Sequence, residues 1–371
     1  MNFEGTTSPK NNHIPQLDGL RGVAILLVIT FHYFGFIKVF SFGWTGVDLF
    51  FVLSGYLITG KLSDSLHKPN YLRGFYKNRM LRVFPLYYLV LIIFFLAVLI
   101  LPKNQHISTL HYYVEHWISF FLFFQNWTMI FFGLPKEPYL IHFWSLAVEE
   151  QFYIVWPFII YFFGNNKKLF AILAGTVCSV IAMRCIIYFH YPPSWNYAPD
   201  YFYNSFCRMD AFIIGGLISF AHRQKKIFTE KKSGYLLLGS SFLVIAGILF
   251  FQSVSFASPF FATIGYTAVA IMYAGLLTKS IQEHSIFHKA FKNPFLRFCG
   301  KISYGLYIFH WPVLLILNPR MYNWVSAHLI IDSNIANFLC LFICLLLTFV
   351  ISWMSYAFFE SYFQRLKNIN T

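Results

Sequence analysis

The chain has 371 residues, of which 58% are hydrophobic and only 11% are charged, and its mean hydropathy is +0.58. This composition excludes an ordinary soluble domain and is typical of a protein with many membrane-spanning helices. The net charge of +14 is not accompanied by a nucleic-acid-binding motif or by interleaved basic and aromatic residues, so no nucleic-acid partner is predicted.

Apolar runs of about twenty residues recur along the chain, and a helix of that length crosses roughly 30 Å of hydrocarbon. The pattern predicts an all-α, polytopic membrane protein whose single domain, residues 1–371, is a bundle of about ten transmembrane helices. The stretch 118–134 is apolar but interrupted by Gln125, Asn126 and Gly133, and we expect it to be interfacial or re-entrant. The predicted spans are 17–35, 43–60, 84–101, 143–163, 169–190, 207–221, 235–252, 259–278, 302–318 and 335–358.

The distribution of basic residues predicts the orientation of the bundle. If both termini are cytoplasmic, the inner segments contain 21 of the 28 Lys and Arg residues, and the outer loops contain four. Membrane proteins carry such an excess of Lys and Arg on the cytoplasmic side. The other three, Arg21, Arg184 and Arg208, fall inside predicted spans. We therefore expect both termini to be cytoplasmic.

The first span, LDGLRGVAILLVITFH, contains Asp18, Arg21 and His32. Residues eleven apart on a helix differ by about 20° in direction and by about 16 Å along the axis, so Arg21 and His32 share one face. Asp18, three residues before Arg21, joins this face. Because charged side chains are costly in hydrocarbon, such a stripe faces the interior of a bundle and marks a functional path.

The predicted orientation places further ionisable residues at the depth of His32. A partly desolvated histidine beside a carboxylate can act as a general base, and we favour this chemistry for His32 with Glu149 or Glu150. Ion pairs that hold helices together are an equally good interpretation of the remaining charged residues inside the spans. These remaining residues are Asp18, Asp48, Arg184, Arg208 and Asp210.

The segment FYKNRMLRVFPLYY places Lys77, Arg79 and Arg82 just before the third span. Arg79 and Arg82 are three residues apart and share a helix face, and their planar guanidiniums suit phosphate groups. Ordinary cytoplasmic anchoring also explains basic residues at this position. Arg21, at the same depth in the membrane, adds a third potential phosphate contact and favours a bound anion.

Six segments follow one another between residue 15 and about residue 313. They are LDGLRGVAILLVITFH, GVDLFFVLSGYLI, KNRMLRVFPLYY, FWSLAVEEQFYIVWP, RMDAFIIGGLI and ISYGLYIFHWPV. In this order they resemble the acyltransferase-3 family of integral-membrane acyltransferases, which are typically ten-helix bundles. The resemblance implies an O-acyltransferase of the bacterial cytoplasmic membrane, with acetyl as the favoured group. Its acceptor would be a hydroxyl of a cell-envelope or exported carbohydrate, either lipid-linked or on the surface.

The resemblance also implies roles for the polar residues. Arg21, Arg79 and Arg82 would bind the phosphates of cytoplasmic acetyl-CoA or another acyl-CoA. His32 would be the essential base, reached by the pantetheine arm of the donor along a single lumen. The imidazole would deprotonate the acceptor hydroxyl, and the resulting oxygen would attack the thioester carbonyl.

The sequence does not decide which carboxylate orients the imidazole of His32, because Glu149, Glu150 and Asp48 could each do so. His310 could line the acceptor route or be a hydrogen-bonded structural histidine. No metal site is predicted, since the thirteen histidines do not form a cluster with cysteine or acidic residues, and the six cysteines are expected to pack in or beside spans. The candidate substrate-binding residues are Ser54, Tyr56, Arg208, Asp210 and His310.

Two alternatives concern the reaction as a whole. Some family members carry a C-terminal extracytoplasmic hydrolase-like domain, which we do not expect here, because about ten residues follow the last predicted span. The chain would then act directly on a sugar or pass the acyl group to a partner. The second alternative is a proton-coupled transporter or exporter of a small solute, with the buried carboxylates and His32 as a proton relay. The absence of an inverted repeat makes the acyltransferase the preferred interpretation.

Overall fold

Helices form all the regular structure in the described part of the chain, which confirms the all-α prediction. The computed structural model describes residues 14–66, 68–100, 110–164, 168–190, 200–223, 230–329 and 332–366. The α-helices are α1 Pro15–Phe34, α2 Gly46–Ser65, α3 Tyr71–Ile100, α4 His111–Glu115, α5 Trp117–Phe121, α6 Gln125–Phe132, α7 Trp144–Phe163, α8 Leu169–His190, α9 Asp200–Tyr203, α10 Ser205–Arg223, α11 Glu230–Phe251, α12 Tyr266–Ile281, α13 Ile286–Ala290, α14 Pro294–Lys301, α15 Ser303–His328, α16 Ser333–Met354 and α17 Ser361–Arg365. Short π-helical turns occupy Phe261–Gly265 and Ser355–Glu360.

Eight helical segments within the described ranges are long and apolar enough to cross a membrane. The number is nine if α14 and α15, which are bent by 72° relative to each other, form one span. The remaining predicted window, 207–221, coincides with α10, which does not meet the same criterion because Arg208 and Asp210 lie in its first two turns. The described ranges therefore contain eight or nine candidate spans by this measure, as in a multi-pass membrane protein, against the ten predicted windows.

One element differs in length from the predicted one, and a second has the short helices expected of a segment that does not span. Helix α3 begins at Tyr71, so Arg79 and Arg82 belong to the spanning helix and not to a segment that precedes it. The stretch 118–134 contains α5 and α6, which have five and eight residues and are too short to cross a bilayer.

Glycines allow α1 and α14 to contact each other backbone to backbone. A Cβ atom on Gly300 would lie 1.9 Å from the carbonyl oxygen of Asp18, and one on Gly22 would lie 2.0 Å from that of Leu296. Small residues at helix crossings permit such approaches in membrane proteins.

Replacing Gly300 by alanine is expected to destabilise the protein by about 1–3 kcal/mol, because the new methyl group overpacks the α1–α14 crossing. The measurement is the thermal unfolding midpoint of the purified protein in detergent. Gly239→Ala in α11 is the matched control, since a Cβ there would meet no described atom within 4 Å. Equal midpoints for the Gly300 variant and the wild type would refute the steric argument.

Candidate active site

A cavity lies between α1, α2, α3, α7 and α15. Its charged lining residues are Arg21, Arg79, Arg82 and Glu149. The cavity therefore connects the predicted arginine cluster to the first turn of α7 and the second turn of α15. Its polar lining is completed by Ser54, Ser145, Ser303, Tyr304 and Tyr307.

Arg21 and Arg82 are the two cations of this cavity whose guanidiniums remain available to a ligand. Neither side chain forms a hydrogen bond or an ion pair with a residue in the described ranges, and the two guanidiniums repel each other. Lys61 adds a further positive charge close to both arginines. It follows Ser54 by seven residues, or about two helical turns, and so lies on the same face of α2. Unpaired cations held together in this way form a binding site for an anion.

Arg79 has a different environment from Arg82, although the sequence predicts the same role for both. Its Nη2 lies 3.3 Å from Oε1 of Glu149, and its Nε donates a 3.1 Å hydrogen bond to Oε1 of Glu150. Its guanidinium also lies 3.6 Å from the ring centre of Tyr153. The guanidinium of Arg79 is therefore occupied by two carboxylates and an aromatic face.

Glu149 is held at one of its two oxygens. Besides Arg79, Oε1 accepts a 2.5 Å hydrogen bond from the hydroxyl of Ser54 and another from the hydroxyl of Tyr153. Oε2 accepts no hydrogen bond from the residues that the structure describes. Of the two candidate residues in LSGYLI, Ser54 thus lies on the cavity, whereas Tyr56 hydrogen-bonds Nδ1 of His222 and does not line it.

His32 pairs with His310, and the hydrogen bonds determine the tautomer of each ring. Nδ1 of His310 lies 2.7 Å from the carbonyl oxygen of Tyr307 and 3.2 Å from that of Leu306. A carbonyl oxygen only accepts, so Nδ1 of His310 carries the proton. In neutral His310, Nε2 is then an acceptor, and Nδ1 of His32 donates to it over 3.1 Å. Nε2 of neutral His32 is left unprotonated, as a base requires.

This arrangement differs from the expectation that Glu149, Glu150 or Asp48 orients the imidazole of His32. No carboxylate in the described ranges hydrogen-bonds His32, and His310 takes that position. The physical reason is that each expected carboxylate has a stronger partner. The two glutamates are bound by an arginine of α3, and Asp48 is bound by an arginine of α10.

Tyr307 lines the cavity and lies beside His310 of the histidine pair. Its hydroxyl donates a 2.8 Å hydrogen bond to the carbonyl oxygen of His142 and is also hydrogen-bonded to the hydroxyl of Ser145. Its ring centre is 5.5 Å from that of His310. Among the residues described, those that line the cavity include Tyr307 but neither His32 nor His310. The lining of this cavity therefore stops short of the histidine pair.

Sequence reasoning missed Lys61, His142, Ser145 and Tyr307. A periodicity signal existed for two of them. Tyr307 precedes His310 by three residues, and Ser145 precedes Glu149 by four, so each shares a helix face with a residue that the sequence analysis selected.

The remaining predicted residues form a buried ion-pair cluster outside the cavity. Arg208 donates to Asp48 and Arg184 donates to Asp210, each over 2.8 Å, and all four side chains are at most 2% exposed. Arg184 also donates to Thr267 and to two backbone carbonyls. These contacts connect α2, α8, α10 and α12. The geometry thus favours the helix-holding interpretation of these residues over substrate binding.

The fold and the cavity together define a multi-pass membrane protein with an arginine-lined cavity, one wall of which, Tyr307, lies beside the His32–His310 pair. The chain belongs to the acyltransferase-3 family, because the model of that family, described as an acyltransferase domain, matches residues 14–357. This match confirms the family predicted from the six sequence segments.

Curated relatives carry related names. The peptidoglycan O-acetyltransferase OatA of Listeria monocytogenes is 29% identical to this chain over 384 residues, which cover 98% of this chain and 58% of the relative. The putative peptidoglycan O-acetyltransferase YrhL of Bacillus subtilis is also 29% identical, over 94% of this chain and 55% of the relative. The chain thus spans somewhat more than half the length of these relatives. No solved structure matches it significantly.

Proposed function

We propose that this protein is a membrane O-acyltransferase that moves an acyl group, with acetyl favoured, from cytoplasmic acyl-CoA to a hydroxyl of a cell-envelope carbohydrate. The observation that carries the proposal is a cavity lined by two guanidiniums that pair with no described residue and by Tyr307, whose ring lies beside His310, the partner of His32. Membership of the acyltransferase-3 family and the names of the peptidoglycan-modifying relatives support it.

The proposal includes a topology. Both termini lie in the cytoplasm, α10 is a further crossing helix despite its two charges, and the membrane is the bacterial cytoplasmic membrane. The excess of basic residues in the inner segments supports this orientation. Arg21, Arg82 and Lys61 then face the cytoplasmic side, where acyl-CoA is available, and His32 lies about 16 Å deeper along α1.

The donor binds with its phosphates at Arg21 and Arg82 and its arm along the cavity towards Tyr307. Guanidiniums bind phosphate through charge-assisted hydrogen bonds, which are stronger than neutral ones. Tyr307 turns aside from His142 and Ser145 to let the thioester approach His32. The hydroxyls of Tyr307 and Ser145 are the nearest side-chain donors for the oxyanion that forms at the thioester carbonyl.

Transfer then follows general-base catalysis. Nε2 of His32 takes the proton of the acceptor hydroxyl as the acceptor oxygen forms a bond to the thioester carbonyl carbon. The carbon–sulfur bond breaks, and the proton on His32 passes to the departing thiolate, so the acyl ester and free coenzyme A are the products. His310 accepts the Nδ1 proton of His32 in a hydrogen bond throughout and keeps Nε2 available.

The proposal is tested by comparing envelope glycans from cells with and without the gene by mass spectrometry. We expect the loss of one acyl mass from one class of glycan, and we expect the purified protein to bind acetyl-CoA in calorimetry. An unchanged glycan profile combined with no binding of acetyl-CoA would refute the assignment. Proton-coupled uptake of a solute into vesicles, without any loss of acylation, would favour a transporter instead.

Arg21→Ala and Arg82→Ala are each expected to weaken acetyl-CoA binding by roughly 10–150-fold. This range corresponds to the loss of one charged hydrogen bond worth about 1.5–3 kcal/mol. The measurement is the dissociation constant of acetyl-CoA at low and at high salt, and the difference from wild type should narrow as salt screens the charges. Lys77→Ala is the matched control, because it removes a positive charge from the same helix outside the cavity. Equal losses in the Lys77 and Arg82 variants would contradict the assignment.

A further inference from the structure

Glu149 is a carboxylate inside a cavity whose open charges are both positive. It lines the cavity together with Arg21 and Arg82, and it attracts both of their guanidiniums. A carboxylate that turned towards these two arginines would form ion pairs with them, as charged groups do in a partly desolvated site. It would then occupy the place of an anionic ligand.

Arg79 prevents this turn. It bonds Glu149 and Glu150 at 3.3 and 3.1 Å, and the side chains of the three residues are 13%, 18% and 8% exposed. Ser54 and Tyr153 donate to the same oxygen of Glu149 that Arg79 contacts. Because Arg79 is the only positive charge that pairs with Glu149 in the described ranges, removing it removes the main electrostatic force that holds this carboxylate in place.

We propose that Arg79 is a positioning residue that keeps Glu149 away from Arg21 and Arg82 and so keeps the anion site open. This inference rests on the proposed binding of the donor phosphates by those two arginines. Arg79 itself does not contact the donor, because Glu149, Glu150 and the ring of Tyr153 already surround its guanidinium.

The two possible roles of Arg79 predict different dependence on Glu149. If Arg79 contacts a phosphate, its removal weakens donor binding whether or not Glu149 is charged. If Arg79 restrains Glu149, its removal weakens binding only while residue 149 carries a negative charge that can pair with Arg21 or Arg82. A double-mutant cycle measures this coupling directly.

The experiment measures the dissociation constant of coenzyme A for the purified full chain in lipid nanodiscs. The variants are Arg79→Ala, Glu149→Gln and the double variant Arg79→Ala/Glu149→Gln. We expect Arg79→Ala to weaken binding by about tenfold or more in the natural background and by about threefold or less when residue 149 is glutamine. In turnover assays, KM for acetyl-CoA should rise in Arg79→Ala while kcat at saturating donor changes little.

Arg79→Ala/Glu150→Gln is the matched control, since Glu150 also pairs with Arg79 but does not line the cavity. It should bind coenzyme A as weakly as Arg79→Ala alone. If Arg79→Ala does not fold, Arg79→Lys replaces it, because one ammonium group cannot bridge both carboxylates in the same way.

Three results would overturn the inference. They are an unchanged dissociation constant in the Arg79 variant, a loss that Glu149→Gln does not reduce, and equal rescue by Glu149→Gln and Glu150→Gln. Failure of the proposed function gives a different result, because the wild type would then not bind coenzyme A at all.

Discussion

Replacing His32 by alanine is expected to reduce acyl transfer by about 10²–10⁴-fold, the usual contribution of a general base. The structure gives the reason, since Nε2 of His32 is the unprotonated nitrogen of a histidine pair whose other member is fixed by backbone carbonyls. The measurement is the rate of transfer of labelled acetyl groups from acetyl-CoA to envelope glycan in membranes that contain equal amounts of protein.

His284→Ala is the matched control for the His32 variant, because His284 is exposed and lies outside the cavity lining. It should keep the wild-type rate. The His32 variant should still bind acetyl-CoA, because the arginines that bind the phosphates are untouched. A transfer rate within a few-fold of wild type in the His32 variant would exclude this imidazole as the base.

The largest effect on stability is expected from Arg184→Ala. Removing one member of a buried ion pair leaves its partner charged and without compensation, at a cost of about 3–5 kcal/mol. Arg184 is fully buried and bonds Asp210, Thr267 and two backbone carbonyls, so its loss affects α8, α10 and α12 together. The measurement is the thermal unfolding midpoint of the purified protein in detergent.

The double variant Arg184→Ala/Asp210→Ala is the matched control for this argument. It also removes the carboxylate of Asp210, which Arg184→Ala alone leaves without a partner. Its loss of stability should therefore be smaller than the sum of the losses in the two single variants. Any protein that remains folded should bind acetyl-CoA as the wild type does, since neither residue lines the cavity. Additive losses would indicate that the two side chains do not form a buried pair.

Part of the site was predictable from helix geometry alone. Arg21 and His32 share a face of α1 because eleven residues complete about three turns, and Arg82 reaches the depth of Arg21 by its place on α3. The structure places Arg21 and Arg82 in one cavity, and Tyr307 of that cavity lies beside His310, the partner of His32. The position of a residue along a helix and the face on which it lies follow from local periodicity, which can be read from the sequence.

The partners of these residues were not predictable in the same way. Arg79 and Arg82 are equivalent by spacing, yet one is bound by Glu149 and Glu150 and the other is open. His32 could pair with any of three carboxylates by depth, yet its partner is His310, on a helix that comes 270 residues later in the chain. Which side chains meet depends on how each helix is rotated and which helices are neighbours.

The sequence by itself determined the membrane class, the family and which charged residues share a helix face, because hydropathy and helical period are properties of short segments. Only the tertiary structure decided that Asp48 pairs with Arg208 and Asp210 with Arg184, and that His310 is the partner of His32. A buried charge takes the partner that compensates its desolvation best, and the choice among partners is made by contacts between helices that are distant in the chain.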